Sequence, residues 1–568
     1  MDQVSTEQTN RPRVAVEYLT FSDGTRIDLS PNDIVVIVGP NNAGKSAALR
    51  ELKNYVISEK GQKVVTSTSI VRTGTISEVH RFLQANCKTI GNDYHGGGIG
   101  IRDTIVDHCW SRELGFLGNV FCYLVATEDR ITGSNPSRGI PLLEGVPTEP
   151  IHFLYLNVDL EEKISRLFEQ AFGEDLVLYR MGGSEWPLLV GQRPTRQPDE
   201  DRLAVSYNER LLEATVSLTS QGDGMRSFAT VMLNTMVRVM PSIILLDEPE
   251  AFLHPPQARL VGEFLAKEHR EGTQLFIATH SQDVLQGLLN VAPTNLKIIR
   301  IQRDGTVNKA KLLDKTHTEA IRTDSVMKYT SVLSGLFHSR VIICESDCDC
   351  MFYNGILDLA EVHGGLYPDV LFTQAAGKHR MASLAETLVS LDVDVDVIAD
   401  IDVLNDLAVF ERLVKSLNGN WNSISALAKP LKDTIEKRMF WLDCRVVVRE
   451  IGEILKGAGN EQTGSFPSAL GEGIKAILRK ASPWDALKEA GRTAIPAGES
   501  TQQFDRLHEL CSQCGLWIVP VGEVEGFCKS VGKHGPKWVQ AVLETKDLAS
   551  SELSEARQFM KKLWNTKT

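Results

Sequence analysis

The stretch from Val35 to Ser46, VVIVGPNNAGKS, decides the fold of the N-terminal half of this 568-residue chain. Four apolar residues predict a short buried strand, and the next eight match G-x-x-x-x-G-K-[ST] at every fixed position. A helical run follows directly. This order is that of a phosphate-binding loop, because backbone N–H groups and the helix N-terminus both face the anion.

The predicted nucleotide-binding residues of this loop are Gly39, Asn41, Asn42, Ala43, Gly44, Lys45 and Ser46. Lys45 is expected to reach the β- and γ-phosphates, and Ser46 is expected to hold Mg²⁺. The chain therefore predicts an α/β fold with an ATP and Mg²⁺ site near its N-terminus.

Two later apolar strands end in polar residues of the same predicted site. The segment SIILLDEPE places Asp247 and Glu248 after a buried strand. Asp247 is expected to join the Mg²⁺ shell, and Glu248 to position or deprotonate the attacking water. A further strand, Gln274 to Thr279, ends at His280, which we predict to contact the γ-phosphate because sheet ligands bind at strand ends.

A glycine-containing turn lies between these motifs, in the segment SLTSQGDGMRS. Ser220, Gly222 and Gly224 precede a helical run and predict a second phosphate-binding turn. A plain helix cap is the alternative interpretation. The position about 20 residues before the acidic strand favours the phosphate-binding role.

Composition limits the class of protein. The chain is 42 % hydrophobic and 24 % charged, and both fractions are typical of globular proteins. Its formal charge of −12 argues against a broadly basic surface that coats nucleic acid. Its apolar runs fall short of the ~18–20 residues of a membrane span, and the N-terminus lacks the apolar core of a signal peptide. Ten cysteines without a regular framework suit a reducing compartment. We expect a cytoplasmic protein without membrane contact.

The second half of the chain carries a different set of acids. The strand Arg340 to Cys344 is predicted to end at Glu345, and Asp349 starts a helix predicted over Met351 to Val362. A strand-end and a helix-start carboxylate can converge on one cation. The loop from Ala376 to Arg380 predicts either a DNA phosphate contact or a solvated turn.

The segment VDVIADID, Val395 to Asp402, adds two more acids. On a strand, Asp400 and Asp402 would point to the same face and would repel each other unless a cation relieved them. Glu523 and Glu525 follow a strand predicted over Leu516 to Val521, and either complete a second metal site or form a solvated strand end. The downstream residues Lys533, His534 and Lys537 predict a basic tip or charge donors at a scissile phosphate.

These motifs resemble two known domains. GPNNAGKS, SQGDG, LLDEPEAFLHP and ATHS, over residues 13–313, resemble an ABC-type ATPase of the SMC and recombination-repair branch. That resemblance implies two ATPase heads that sandwich two nucleotides, with the Ser220–Gly224 turn of one head touching the γ-phosphate held by the other. An insertion for self-association is expected within 88–200.

ICESDCD, AAGK, IADID and PVGEVEGF resemble a Toprim domain, a parallel sheet with flanking helices. Its first part would span 335–406 and its last part 511–568, with a helical insertion over 407–510. The combination resembles the OLD (overcoming lysogenization defect) nucleases, which include Gabija-type and retron-associated effectors.

The resemblance implies an ATP-binding DNA endonuclease of anti-phage defence that uses Mg²⁺ or Mn²⁺. Glu345, Asp400 and Asp402 would hold one ion, and Asp349, Glu523 and Glu525 would face the other, with Lys537 as the candidate catalytic lysine. The expected partners are DNA, further copies in a dimer or tetramer, and a defence-system protein or nucleic acid. The alternatives are a nucleotide-regulated scaffold that serves a partner without cutting DNA, and a topoisomerase-like enzyme with a covalent tyrosine link.

Overall fold

The computed structural model describes residues 11–58, 63–96, 99–141, 146–238, 240–313, 331–365, 367–375, 377–438, 444–456, 467–480, 483–532 and 534–566. The chain divides into two compact units, 1–337 and 338–568. A 3₁₀ helix, Ser331–Phe337, belongs to the first unit, and the second unit begins at His338, whereas the Toprim bounds, with their start at residue 335, stay a prediction.

The strands of the first unit are β1 Arg13–Phe21, β2 Arg26–Asp28, β3 Ile34–Val38, β4 Val65–Thr73, β5 Lys88–Ile90, β6 Asp93–Gly96, β7 Ile99–Ile101, β8 Cys122–Val125, β9 Ser137–Arg138, β10 Asp175–Leu178, β11 Glu185–Trp186, β12 Leu188–Gly191, β13 Thr215–Ser217, β14 Ile243–Asp247, β15 Gln274–Ala278, β16 Leu296–Asp304 and β17 Val307–Leu313. Its α-helices are α1 Lys45–Ser58, α2 Ile76–Asn86, α3 Asp103–Ser111, α4 Gly118–Phe121, α5 Pro150–Leu156, α6 Val158–Phe172, α7 Val205–Ala214, α8 Asp223–Met232, α9 Pro255–Lys267 and α10 Gln282–Val291.

A six-stranded sheet in the order β17-β16-β3-β15-β14-β8 forms the centre of this unit. Its strands are parallel except β17, which pairs antiparallel with β16. All five residues of β3 are buried, as expected of a central parallel strand. The carboxyl ends of β3, β14 and β15 therefore meet at one edge of the sheet, where open α/β sheets bind ligands.

Helix α1 joins the central sheet to a smaller antiparallel sheet, β2-β1-β4. Leu49 and Leu52 of α1 are almost fully buried and share one core with Val14 and Phe21 of β1. The helix that follows the phosphate-binding loop is thus held between two sheets. This packing stabilises the position of its N-terminus.

The second unit has the strands β18 Arg340–Cys344, β19 Val370–Gln374, β20 Asp394–Ala399 and β21 Leu516–Ile518. Its α-helices are α11 Asp347–Leu357, α12 Ala360–His363, α13 Lys378–Ser390, α14 Leu407–Ser416, α15 Trp421–Arg438, α16 Cys444–Lys456, α17 Ser468–Lys480, α18 Pro483–Ala490, α19 Glu499–Gln513, α20 Pro536–Thr545 and α21 Ser554–Asn565. The four strands form one parallel sheet in the order β19-β18-β20-β21.

Helices cover this sheet and make up most of the described part of the long connection between β20 and β21. Phe352 of α11, Trp538 of α20 and Phe559 of α21 pack with Trp517 of β21 in one apolar core. Apart from short 3₁₀ turns, the described elements from α14 to α19 are all α-helices. Among the described helices, none combines the length and the apolar composition that a membrane span needs.

Candidate functional site

The phosphate-binding loop lies between β3 and α1, where the sequence predicts it. Lys45 begins α1, and its Nζ donates to the carbonyl oxygens of Gly39 (2.8 Å) and Pro40 (2.9 Å). Asn308 of β17 donates its side-chain N–H to the carbonyl of Ala43. These contacts hold the loop in a closed curve around the lysine.

The remaining loop residues differ in exposure. Asn41 and Asn42 are exposed, whereas Gly44 is half-buried. Asn42 has a φ of 61° and Gly44 a φ of 98°, both in the left-handed region that lets successive N–H groups point to one side. The loop therefore offers backbone donors of the kind that bind phosphate.

Asp247, the last residue of β14, faces the start of α1. Its carboxylate is buried and accepts a hydrogen bond from the Ser46 hydroxyl. Burial raises the pKa of Asp247, and its Oδ1 has no hydrogen-bond partner among the described residues. A buried carboxylate oxygen beside a hydroxyl fits Mg²⁺, which prefers oxygen ligands.

Glu248 and His280 meet just beyond this pair. The His280 Nδ1 lies 3.3 Å from Glu248 Oε1 and 3.3 Å from Glu250 Oε1. Glu250 is buried and accepts from the Thr279 hydroxyl (2.7 Å) and the His280 N–H (3.0 Å). Glu250, to which the motif gave no role, thus fixes the turn that carries His280.

Arg130 is a second residue that no motif indicated. It is fully buried at the end of a 3₁₀ turn after β8, and its Nη2 donates to the Asp247 carbonyl at 2.6 Å. Burial lowers the pKa of Arg130 to about 10, although the carboxylates of Glu250 and Asp247 act against this. The guanidinium thus stabilises the end of β14 through the backbone of Asp247.

The glycine turn lies on the surface. A 3₁₀ helix, Leu218–Ser220, precedes α8, and Gly222 is the N-cap residue of α8. Ser220 and Gly222 are exposed, whereas Gly224 is half-buried against the carbonyl of Phe252. The predicted phosphate contact of this turn stays a prediction.

In the second unit, Glu345 follows β18, and α11 starts at Asp347 rather than at the predicted Met351. Ser346 caps this helix: its hydroxyl accepts from the Asp349 N–H, and Asp349 Oδ2 accepts from the Ser346 N–H at 2.9 Å. Asp349 therefore uses one carboxylate oxygen in the cap and has the other available.

The strand prediction for Asp400 and Asp402 is wrong. β20 ends at Ala399, Asp400 is the N-cap residue of a 3₁₀ helix, Ile401–Asn405, and Asp402 lies within that helix. The two carboxylates are brought together by this tight turn, not by strand alternation. The Ile401 N–H donates to the carbonyl of Gly522 (2.9 Å), which joins this turn to the loop after β21.

The upstream acid Asp396 has a structural position. It is fully buried and pairs with Arg340 (2.5 Å), and it accepts a hydrogen bond from the Trp517 indole (3.0 Å). This ion pair ties β18, β20 and β21 together inside the unit.

Glu523 and Glu525 lie after β21, which ends at Ile518 rather than at the predicted Val521. Glu523 precedes a 3₁₀ helix, Val524–Phe527, that contains Glu525. Each of these carboxylates and His534 offers one ligand atom, and the three atoms lie within 4.8 Å of one another. The His534 side chain is 83 % exposed, so it can turn toward or away from such a site.

Lys488 places its ammonium inside the acidic set. Its Nζ lies 3.3 Å from Asp400 Oδ2, 3.5 Å from Asp402 Oδ2 and 3.8 Å from Glu523 Oε2. Lys378 approaches Asp402 at 3.4 Å. We call the residues Glu345, Asp349, Asp400, Asp402, Glu523 and Glu525 the carboxylate cluster.

The predicted basic residues have different positions. Lys537 is exposed on α20, and its catalytic role stays a prediction. Lys533 and Ala376 fall outside the described residues. Lys378 lies 3.4 Å from Asp402, while His379 and Arg380 are exposed, and the choice between a DNA phosphate contact and a solvated turn for this loop stays open.

Burial dominates the electrostatics of the cluster. It raises the pKa of Asp400 well above the ordinary value and also raises the pKa of Glu345, Asp349 and Glu523. Neighbouring carboxylates act in the same direction. Such crowded oxygens fit hard divalent cations, which would relieve the repulsion.

Comparisons with known proteins support an ATPase-type domain in the first unit. A family model described as "AAA domain, putative AbiEii toxin, Type IV TA system" matches residues 142–285. A "Putative ABC transporter ATP-binding protein" of Clostridium acetobutylicum is 22 % identical over 281 residues, 49 % of this chain and 84 % of that protein. Nucleotide binding by the first unit is therefore supported by its loop, its strand order and its relatives.

The chain is also weakly similar to "Old nuclease" of Escherichia phage P2, at 21 % identity over 277 residues. The match covers 43 % of this chain and 45 % of that protein, so the chain spans less than half of Old nuclease.

Two solved SMC heads also match. The head from Thermotoga maritima is 13 % identical, with a TM-score of 0.28, over 54 % of this chain and 99 % of that one. The head from Pyrococcus furiosus is 12 % identical, with a TM-score of 0.32, over 55 % and 98 %. TM-scores this low carry no argument, and the fold description stands on the observed strands and helices.

Proposed function

We propose that this chain is an ATP-regulated DNA endonuclease whose second unit cleaves phosphodiester bonds at a divalent-metal site. One observation carries the proposal: acids that follow three strands of one parallel sheet gather around the Lys488 ammonium. Glu345 follows β18, Asp400 follows β20 and Glu523 follows β21. This arrangement supports the Toprim resemblance, which implies acids at the ends of parallel strands.

Each cluster residue has a position suited to holding a cation. Glu345, Asp400 and Asp402 would hold one ion, and Asp349 and Glu525 would join Glu523 at the other. Bound Mg²⁺ or Mn²⁺ supplies a Lewis acid that activates water and stabilises the leaving oxygen. The exposed His534 imidazole would add a nitrogen ligand beside Glu523, which suits Mn²⁺ better than Mg²⁺.

The first unit would bind ATP and dimerise. Lys45 and the Ser46–Asp247 pair would hold the phosphates and Mg²⁺, while Glu248 and His280 would face the attacked phosphate. The exposed Ser220 is available to a second copy. A dimer closed by ATP would control the access of DNA to the cluster.

A role in anti-phage defence, within an OLD-type system with its own partner, rests on the motif resemblance and on the weak similarity to Old nuclease. A defence nuclease has to be restrained until infection. ATP-dependent control of the cluster would supply that restraint.

Supercoiled plasmid incubated with Mg²⁺ or Mn²⁺ tests the nuclease. Wild type is expected to nick the plasmid, and Asp400→Asn is expected to lose at least about 100-fold in rate because the site loses a ligand charge. The matched control is Asp433→Asn, which removes an exposed carboxylate on α15. Lys45→Ala, with and without ATP, reports on the control by nucleotide. Equal nicking by Asp400→Asn and wild type would contradict the metal site.

A scaffold that serves a partner without cutting DNA is the second candidate. The Lys488 ammonium favours it, because an amine among the carboxylates neutralises part of the cluster without any metal. The scaffold predicts DNA binding by wild type and by Asp400→Asn with no metal-dependent nicking by either.

A further inference from the structure

The Lys488 ammonium occupies a position that a metal ion would also favour. Three carboxylate oxygens, from Asp400, Asp402 and Glu523, surround its Nζ at 3.3 to 3.8 Å. Mg²⁺ binds such oxygens at about 2.0–2.1 Å and attracts them more strongly than an ammonium does. An ion that used the same three oxygens could not share the space with Nζ.

The backbone around Lys488 is built for this position. Gly522 has a φ of +107°, and a Cβ there would lie 1.9 Å from the Lys488 carbonyl oxygen. Gly491, at a φ of +60°, lies so close to the Val521 carbonyl carbon that a Cβ would be 2.3 Å from it. Two glycines thus let the end of α18 touch the loop that carries Glu523.

A hydrogen bond completes this junction: the Arg492 N–H donates to the Pro520 carbonyl at 2.8 Å. Lys488 therefore belongs to the long helical connection between β20 and β21 and extends its side chain into the cluster. The backbone contacts described above hold its Cα next to the loop that carries Glu523. The side chain beyond that Cα has four flexible carbons and can move without unfolding this contact.

The negative charge of the carboxylate cluster favours a bound cation, but that cation need not be the Lys488 ammonium. The cluster has six carboxylates and is contacted by two lysines, Lys488 and Lys378, so the acids stay in excess when all are ionised. Burial alone lowers the pKa of Lys488, but Asp400, Asp402, Glu523 and Glu345 outweigh it and raise the pKa. Withdrawal of the ammonium would leave these acids without its charge, and a divalent cation in the same position would compensate for that loss.

We propose that Lys488 is a tethered counter-cation: it fills one cation position of the metal-free cluster and has to yield it before the cluster takes its full complement of divalent ions. The inference rests on the proposed function only in that the cluster binds divalent ions. It makes the docking of α18 a control on metal loading. An insertion that pressed Lys488 into the cluster would keep the site short of one ion.

Titration of the nucleotide-free full-length chain with Mn²⁺, followed by electron paramagnetic resonance, tests the competition. Lys488→Met is expected to tighten the weakest cluster ion by at least about tenfold, because one competing charge is removed. The matched control, Lys475→Met, removes an exposed lysine of α17 and is expected to bind as wild type does. Asp400→Asn identifies which ions belong to the cluster. Unchanged or weaker Mn²⁺ binding in Lys488→Met would overturn the inference.

A second measurement uses only wild type, so it does not depend on the folding of a variant. An amine-reactive label, quantified by mass spectrometry, is expected to modify Lys488 several-fold faster after Mn²⁺ is added, with Lys475 unchanged. Constant labelling of Lys488 at saturating Mn²⁺ would refute the displacement.

Plasmid nicking by the same preparations separates the two ideas. Competition between Lys488 and Mn²⁺ without nicking would leave the inference standing and remove the endonuclease. Nicking without competition between Lys488 and Mn²⁺ would support the endonuclease and overturn the inference about Lys488.

Discussion

Replacing Gly522 by alanine tests the junction that brings α18 to the carboxylate cluster. Gly522 has a left-handed φ, and its missing side chain leaves room for the Lys488 carbonyl. Gly522→Ala therefore adds two costs, a strained backbone and a collision. Gly498→Ala is the matched control, since Gly498 has a φ of +101° and nothing within 4 Å of an added Cβ.

The expected losses of unfolding free energy follow from these two costs. A left-handed alanine costs roughly 1–2 kcal/mol, which both variants share. In Gly522→Ala the Cβ would lie 1.9 Å from an oxygen, whereas real contacts start near 3.0 Å, so the backbone must shift by the difference of 1.1 Å. Overpacking of this kind costs about 1–3 kcal/mol more. The expected loss of unfolding free energy is about 2–5 kcal/mol for Gly522→Ala and about 1–2 kcal/mol for Gly498→Ala.

Urea unfolding followed by tryptophan fluorescence measures this difference. The second unit contains six of the eight tryptophans, so the signal reports mainly on that unit. Gly522→Ala should also loosen Lys488 and tighten Mn²⁺ binding, which Gly498→Ala should not do. If the two variants lose the same unfolding free energy, the close approach of Gly522 to Lys488 does not stabilise the unit.

Three further predictions concern other parts of the chain. Glu248→Gln is expected to retain ATP but to slow phosphate release at least about 100-fold, because the water loses its positioning carboxylate; a normal rate in a phosphate-release assay would remove Glu248 from the reaction. Mg²⁺ should raise the melting temperature more at pH 8 than at pH 5.5. Burial raises the pKa of Asp400 and three neighbouring acids, so their protons stabilise the metal-free fold below the raised pKa and that contribution is lost as the pH rises through it. Differential scanning fluorimetry at both pH values, with Ca²⁺-free buffers, would show an equal shift if this is wrong. Asp396→Asn is expected to cost about 3–5 kcal/mol in urea unfolding, since it leaves Arg340 buried without its counter-charge, and Arg340→Met in the same chain should recover part of the loss. Additive losses in the double variant would speak against the pair.

The parts of the fold that could be predicted from the sequence are local. The strand, loop and helix around Lys45 depend on neighbouring residues, and the structure places them within a residue or so of the prediction. The turn between β16 and β17 carries a signal of the same local kind, the Asp304–Gly305 pair. By contrast, the strands β5 to β13 have only two to four residues each, too few to show a period.

The prediction that Asp400 and Asp402 lie together rests on a partly wrong reason. An apolar run before Asp400 correctly marked the end of a strand, but the strand stops at Ala399 and a 3₁₀ turn brings Asp402 round. Strand alternation would have grouped Asp396 with these acids. Its contact with Arg340, which sets it apart, joins residues 56 positions apart and leaves no local pattern.

Lys488 and Arg130 show where sequence reasoning ends. Lys488 looks like any surface lysine of an amphipathic helix, and only the backbone contact of α18 with Gly522 brings it to Asp400. Arg130 reaches the Asp247 carbonyl across 117 residues. Neither position follows from composition, spacing or a motif.

The ion pair of Arg340 and Asp396 has a consequence for the timing of folding. The same guanidinium donates to the carbonyl oxygens of Leu563 (2.8 Å) and Trp564 (3.2 Å), at the last turn of α21. A ribosome makes Arg340 more than 200 residues before these two acceptors. While α21 is still being synthesised, Arg340 of β18 lacks these two carbonyl acceptors. The position of β18, and of the acids that follow the strands of its sheet, is then not yet fixed. A growing polypeptide would thus have to be synthesised through α21 before it could present an assembled cluster to the nucleic acid around it.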